Sequence, residues 1–266
     1  VTSARWVFLA AIHGIIDGVV AFYLPGGVPI YAFALMLGAA AALGLAWVAW
    51  EAPPKQTFPR LDAGLSTLAG GLVGGRAAYV ALHWGYFQNH SIEIPQVYLG
   101  GLAWPGALAG TALGLALYAG IAHQGIGKLA DALLPLGLVL LVAACLACWM
   151  NGCAYGLAIE GWWALPVQDE WGDWERRVPV QLLGALLALV IYWLVERLRP
   201  TLPVPGQAAI LAGLLFSLVM FALSWLRADP TPILGGLRLE AWSSLAFAAL
   251  TGLALLVCWL RHTHPK

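Results

Sequence analysis

Hydrophobic and polar positions alternate along this chain in blocks rather than residue by residue. Apolar runs occupy 28–50, 64–87, 99–122, 131–150, 179–197, 207–226 and 239–260. A helix needs about 20 mainly apolar residues to cross the hydrocarbon core of a bilayer, and each run has about that length. The pattern predicts an all-α, polytopic integral membrane protein with seven spanning helices. An eighth run, Trp6 to Leu24, is also long enough, but it carries His13 and Asp17 beside Gly14 and Gly18. It is expected either to span or to lie at the interface as an amphipathic helix. The whole chain, 1–266, reads as one membrane domain, with one sizeable extramembrane piece, a head loop at 151–178.

Composition agrees with the block pattern. Hydrophobic residues make up 61% of the chain and charged residues 10%, against about 25% charged in a soluble domain. A chain this apolar has lipid as its natural solvent. The 14 tryptophans fit aromatic belts at the two membrane interfaces. Net charge is zero, so nothing points to nucleic acid. The first apolar run lacks a small-x-small cleavage site, so no cleavable signal is expected.

Lys and Arg in the connections set the orientation. One set of alternate ends carries Lys55, Arg60, Lys128, Arg197, Arg199, Arg261 and Lys266; the other carries Arg176, Arg177, Arg227 and Arg238. This places the C-terminus in the cytoplasm and the head loop on the periplasmic or extracellular side. The head holds Glu160, Asp169, Glu170, Asp173 and Glu175 among Trp162, Trp163, Trp171 and Trp174. It is expected to rest near the outer leaflet.

Three stretches are candidates for chemistry. Arg76 lies within the run Gly71 to Val80, and an arginine at the centre of a membrane helix costs about 2.5–3.5 kcal/mol on insertion scales. Its partner is expected to be a lipid phosphate, which the guanidinium fork matches bidentately, or else a helix-end carbonyl or Asp131. In Gly100 to Gly110, the pair Gly100-Gly101 is expected to open a helix that Pro105-Gly106 breaks early. Such a kinked or re-entrant segment would line a polar cavity. Cys145 and Cys148 share a helix face and Cys153 follows just beyond it, which leaves thiol redox chemistry, a metal half-site or plain apolar filling open. His83, seven residues after Arg76, is the histidine considered for acid–base work.

Taken in order, these pieces resemble the prolipoprotein diacylglyceryl transferases, bacterial inner-membrane enzymes. Pro29 to Met36 is similar to the start of the family's first spanning helix, with Tyr31 where the family has a functional tyrosine. Gly75-Arg76-Ala77-Ala78-Tyr79-Val80 resembles G-x-R-x-x-Y-V, and Gly100 to Gly106 resembles G-G-M-S-F-H-G. Asp131 and Pro135 match a D-x3-P. Ala143 to Gly156 falls on the signature G-R-I-G-N-F-x-N-x-E-x-x-G. Pro179 to Leu182 resembles P-x-Q-L-Y-E, Phe216 to Pro230 resembles a late segment that keeps Arg227, and Leu239 to Trp242 resembles the start of the last helix.

The resemblance implies transfer of the diacylglyceryl group of phosphatidylglycerol to the lipobox cysteine of a prolipoprotein signal peptide, at a bacterial inner membrane and without a metal or cofactor. It implies catalytic roles for Arg76, Tyr31 and Asn151, and substrate binding by Arg227, Tyr79, Gly156 and Gln181. The chain also departs from the family. Pro105 stands where the family has its histidine. Cys145, Cys148 and Cys153 stand where the signature has arginine, asparagine and glutamate. Met220, Ser224 and Gly184 replace another arginine and two glutamates. These departures keep two further expectations open: an inactive or retuned lipid-binding protein on the same scaffold, and a membrane thiol oxidoreductase using Cys145, Cys148 and Cys153.

Overall fold

The computed structural model describes residues 20–23, 29–97 and 100–263. Among these, seven helices are long and apolar enough to cross a membrane. They are α1 (Ala32–Trp50), α2 (Thr57–Leu82), α4 (Trp104–Ile121), α6 (Leu134–Asn151), α7 (Val180–Leu198), α8 (Gln207–Ser224) and α9 (Leu239–Thr263). Two short helices intervene, α3 (Trp84–Phe87) and α5 (Ile126–Ala132). Three two-stranded antiparallel ribbons complete the described structure: β1 (Val20–Tyr23) with β2 (Pro29–Tyr31), β3 (Leu165–Gln168) with β4 (Trp174–Arg177), and β5 (Ile233–Leu234) with β6 (Leu237–Arg238).

The spanning helices fall where the apolar blocks predict, with corrections at their ends. Most of the eighth run lies outside the described residues. Its last part, Val20–Tyr23, is a strand and not a helix, pairing with Pro29–Tyr31. The stretch from Gly100 is not a helix that Pro105 breaks. Gly100 and Gly101 have φ of +90° and +76°, a conformation open to glycine and strained for other residues. The helix starts at Trp104, and Pro105 sits in its first turn, where a missing N–H costs nothing. The run 64–87 breaks at His83.

Because consecutive spans alternate in direction, the connections 83–103, 152–179 and 225–238 share one side, the head face. The backbone confirms part of this grouping. Leu157 donates to the Leu226 carbonyl and Ala228 to that of Tyr155, and Ala103 donates to the carbonyl of Gly75. The opposite face is closed by an apolar cluster of Val48, Ala63, Leu115, Ala119, Leu129, Leu133 and Leu136. Asp131 works there as a cap supplied from another segment. Its Oδ2 accepts from the Gly206 N–H at 2.6 Å and its Oδ1 from Ala209 N–H at 2.9 Å, satisfying donors at the start of α8 that the helix itself cannot.

Helices α2 and α4 pack most closely. A Cβ on Gly110 would strike the Gly70 carbonyl, and one on Gly74 would strike that of Gly106. In lipid, where hydrocarbon surrounds every side chain alike, association rests on this kind of close backbone contact between small residues. Gly110→Leu is therefore expected to lower stability by about 1–3 kcal/mol, read as the shift in thermal unfolding of the detergent-solubilised protein. Gly38→Ala, where an added Cβ meets nothing within 4 Å in the interior of α1, is expected not to lower the transition, and to raise it slightly through the better helix propensity of alanine.

Candidate functional site

At the head-face end of α2, Arg76 is 8% exposed. Its Nε donates to the Ile94 carbonyl at 2.8 Å, Nη1 to those of Gly100 at 2.7 Å and Gly101 at 3.2 Å, and Nη2 to that of Glu93 at 2.6 Å. Four of its five N–H donors are thus taken by one loop. Hydrogen bonds from a charged group contribute about 1.5–3 kcal/mol each, enough together to offset the cost of burying the arginine. The partners are loop carbonyls, not Asp131. Carbonyls satisfy the N–H groups without neutralising the charge.

The two left-handed glycines turn the loop carbonyls toward the guanidinium. A Cβ on Gly101 would lie 2.7 Å from Nη1 and 2.6 Å from Cε1 of Tyr79. The Tyr79 ring lies 5.8 Å from the guanidinium carbon and 4.2 Å from the His83 ring, centre to centre. His83 Nδ1 is 2.9 Å from the Tyr79 carbonyl. A carbonyl only accepts, so Nδ1 carries the proton, leaving the Nε2 lone pair free in the neutral ring. Beside Arg76, between α2 and residues 94–97, runs a groove of about 590 Å³ lined by Leu72, Val73, Val80, Trp84 and Pro95 among others. Leu72, Val73 and Trp84 are exposed, so the groove opens onto the face that hydrocarbon covers.

A second group of predicted residues meets at the end of α6. Gly152, with φ of +67°, ends the helix in the left-handed conformation that glycine supplies at such caps. Asn151 precedes it, half-buried. Gln181, 3% exposed, donates from Nε2 to the Cys153 carbonyl at 2.9 Å. Gly156 forms an isolated antiparallel bridge with Arg227. The structure thus gathers Asn151, Gly156, Gln181 and Arg227 around one turn, and pairs Arg76 with Tyr79 at another point on the same face. Tyr31 stands at the N-cap of α1, also on the head face, with no side-chain capping bond.

Arg227 is not a free cation. Its guanidinium pairs with Asp229 and, at 3.0 Å, with Glu240. Arg238 bonds the same Asp229 at 3.0 Å and lies 3.6 Å from Glu240. The hydrogen bond to Asp229 and the charges of both carboxylates hold the Arg227 pKa above its ordinary value although burial opposes this. Sequence reasoning missed Asp229, Arg238 and Glu240. Their signal was the pair of alternating charges, Arg227-x-Asp229 and Arg238-x-Glu240, flanking a Gly235-Gly236 turn.

Cys148 and Cys153 form a disulfide across the α6 cap, while Cys145 and Cys258 are free thiols. The pair on one helix face, Cys145 with Cys148, is therefore not the bonded pair. Among the described residues no cluster of three or more His, Cys, Asp or Glu side chains is placed to hold a metal.

The described residues include seven buried side-chain polar atoms without a hydrogen-bond partner. They are Trp104 Nε1, Asn151 Oδ1, Glu170 Oε1, Arg177 Nε, Gln181 Oε1, Arg238 Nε and Glu240 Oε2. All seven belong to the head or to the head-face ends of the helices. Buried polar atoms are nearly always paired, so these positions are the candidates to meet a polar ligand or ordered water. Fold and site together define a polytopic membrane protein whose unpartnered buried polar atoms, among the described residues, gather toward one face.

The chain belongs to the prolipoprotein diacylglyceryl transferase family, whose model matches residues 19–258. It is similar to the phosphatidylglycerol–prolipoprotein diacylglyceryl transferase of Thermosynechococcus vestitus, 26% identical over 233 residues that cover 82% of this chain and 84% of that protein. The enzyme of the same name from Geobacillus kaustophilus is 27% identical over 244 residues, covering 85% and 87%. That of Bordetella avium is 29% identical over 210 residues, covering 74% and 76%.

The disulfide has a direct check. Denatured, unreduced protein is expected to take up two maleimides, on Cys145 and Cys258, and reduced protein four, counted by mass spectrometry. Uptake of four before reduction would remove the bridge.

Proposed function

We propose that this protein transfers the diacylglyceryl group of phosphatidylglycerol to the lipobox cysteine of a prolipoprotein signal peptide, releasing glycerol phosphate. The relatives' names motivate the reaction. The observation that carries it to this chain is the set of unpartnered polar atoms beneath the head. A lipid headgroup with hydroxyls and a phosphate brings both the donors that Asn151 Oδ1 and Gln181 Oε1 lack and the acceptors that Trp104 Nε1 and Arg238 Nε lack.

On this reading the apolar groove beside Arg76 takes lipid chain. The un-neutralised guanidinium supplies the positive potential that draws the phosphate and favours its departure as an anion. Tyr79 positions Arg76, Tyr31 and Asn151 orient the substrates, and Gln181 and Gly156 shape the turn against which the acceptor peptide lies. Arg227, already paired, binds phosphate by exchange with one of its carboxylates, Glu240 or Asp229. The membrane is the bacterial inner membrane, with the C-terminus cytoplasmic and the head outside. A disulfide on the head face fits that orientation, because such bonds persist in oxidising compartments and rarely in the cytosol.

One observation favours a second reading, a lipid-binding protein without transferase activity: the carboxylates on Arg227 occupy a cation that would otherwise grip phosphate. Activity separates the two. In vesicles containing phosphatidylglycerol and a lipobox peptide, wild-type protein is expected to form the thioether-linked lipopeptide, and Arg76→Ala to reduce the rate by about 10²–10³-fold. Arg76→Lys is expected to recover only part of it, since a point charge does not span the loop carbonyls as the fork does. Full activity in a folded Arg76→Ala protein with its disulfide intact would refute the role given to Arg76.

A further inference from the structure

The transfer requires the acceptor thiol to lose its proton, since the thiolate is the nucleophile. Carboxylates and histidines on the head face are the candidates to take it, and most are committed elsewhere. Asp169 Oδ1 accepts from the backbone N–H groups of Trp171 and Asp173, both at 3.0 Å, and its Oδ2 pairs with Arg177 at 3.3 Å. Asp229 and Glu240 are held between Arg227 and Arg238. Glu93 accepts from the Tyr86 hydroxyl at 2.8 Å. His83, the exception with a free Nε2, stacks on Tyr79 at the Arg76 end of the face rather than beside the Asn151–Gly156 turn.

Glu170 differs from all of these. It follows Asp169 in the turn of the β3–β4 ribbon. Its Oε1 is shut off from solvent without a donor, and neither oxygen has an arginine or lysine partner among the described residues. The turn is seated directly on the α6 cap, where a Cβ on Gly152 would strike the Asp169 carbonyl. Glu170 therefore follows the residue that packs on the Asn151–Gly156 turn, with a lone pair unspent.

We infer that Glu170 is the general base that takes the proton from the acceptor cysteine. This rests on the transferase reading above. In the step, the thiol S–H bond breaks and the proton passes to the Glu170 carboxylate. The sulfur lone pair forms a bond to the glyceryl carbon bearing the phosphate, and the C–O bond breaks. Its electrons leave on glycerol phosphate, which departs as a dianion while Glu170 becomes neutral. Asp169 and Asp229 face Glu170, with Tyr155 close by and Arg177 beyond Asp169. Burial, and then the two like charges, push the Glu170 carboxyl up to about 7. A base is most effective when its pKa lies near the working pH.

The sign of the pH dependence follows. Below pH 7 Glu170 is mostly protonated and accepts nothing, and above it the carboxylate is available. Activity should therefore rise with pH through an acid limb with a midpoint near 7. Full-length protein in phosphatidylglycerol vesicles with a lipobox peptide is the system to measure. Glu170→Gln is expected to lower kcat by about 10²–10⁴-fold, to leave KM for the lipid unchanged, and to abolish the limb. Its residual rate should climb toward the thiol's own pKa of about 8.5, where the nucleophile ionises without help. A merely structural role would not produce that recovery. Glu170→Asp, which retains an acid at shorter reach, is expected to keep a limb at reduced kcat. Retention of the wild-type limb and rate by Glu170→Gln, or loss of the limb in Glu170→Asp, overturns the assignment while leaving the transferase reading intact. No transfer by wild-type protein overturns both.

Discussion

A polar atom inside a bilayer has no water to turn to, and this constraint governs the arrangement of the whole molecule. It explains why Arg76 is wrapped by four carbonyl bonds from a single loop, and why that loop needs two consecutive left-handed glycines to deliver them. It also explains the contrast between the two faces. On the side away from the head, Asp131 satisfies the first N–H groups of α8 and apolar side chains fill the rest. On the head face, seven buried polar atoms of the described residues lack a hydrogen-bond partner. The described polar groups are thus paired at one end of the fold and left open at the other.

The rigid and the reactive parts are accordingly separated. Close glycine contacts lock α2 to α4, and that pair carries Arg76, Tyr79 and Trp104 to the head face. The disulfide between Cys148 and Cys153 holds the end of α6, whose turn also receives Gln181 from α7 and the backbone of Arg227 after α8. The two halves of the site therefore rest on different devices. One is backbone packing inside lipid, and the other is a covalent clasp outside it.

The spans were legible in the sequence because hydrophobic length is a local property. The seven blocks predict the seven helices to within a few residues at most ends. The exceptions are places where a local rule was overruled. Gly100-Gly101 looks like part of an apolar run, yet its conformation is set by a guanidinium 24 residues away in the chain. Cys145 and Cys148 look paired by helical spacing, yet Cys148 bonds Cys153 across the cap. Arg76 and Asn151 stand out in the sequence as polar residues beside or within apolar runs. Asp229, Arg238, Glu240 and Glu170 do not, because charged residues in a connection are ordinary until tertiary structure buries them. Their importance is a property of three segments meeting, which no single window of sequence contains.

The substitutions that separate this chain from the familiar pattern acquire a physical meaning in that light. Where the resemblance leads one to expect a histidine, Pro105 begins a helix and Trp104 beside it presents a buried indole N–H without a partner. Where it leads one to expect an arginine and a glutamate, Cys145 is a free thiol and Cys153 a bridge. Charged groups gather instead at the edges of the spans: Arg227, Asp229 and Arg238 in the connection before α9, Glu240 in its first turn, and Glu170 on the β3–β4 ribbon. Ionisable groups cost less at the membrane boundary than at its centre. Placing these charged groups in the head and at the helix ends relieves the spans of the charges hardest to bury.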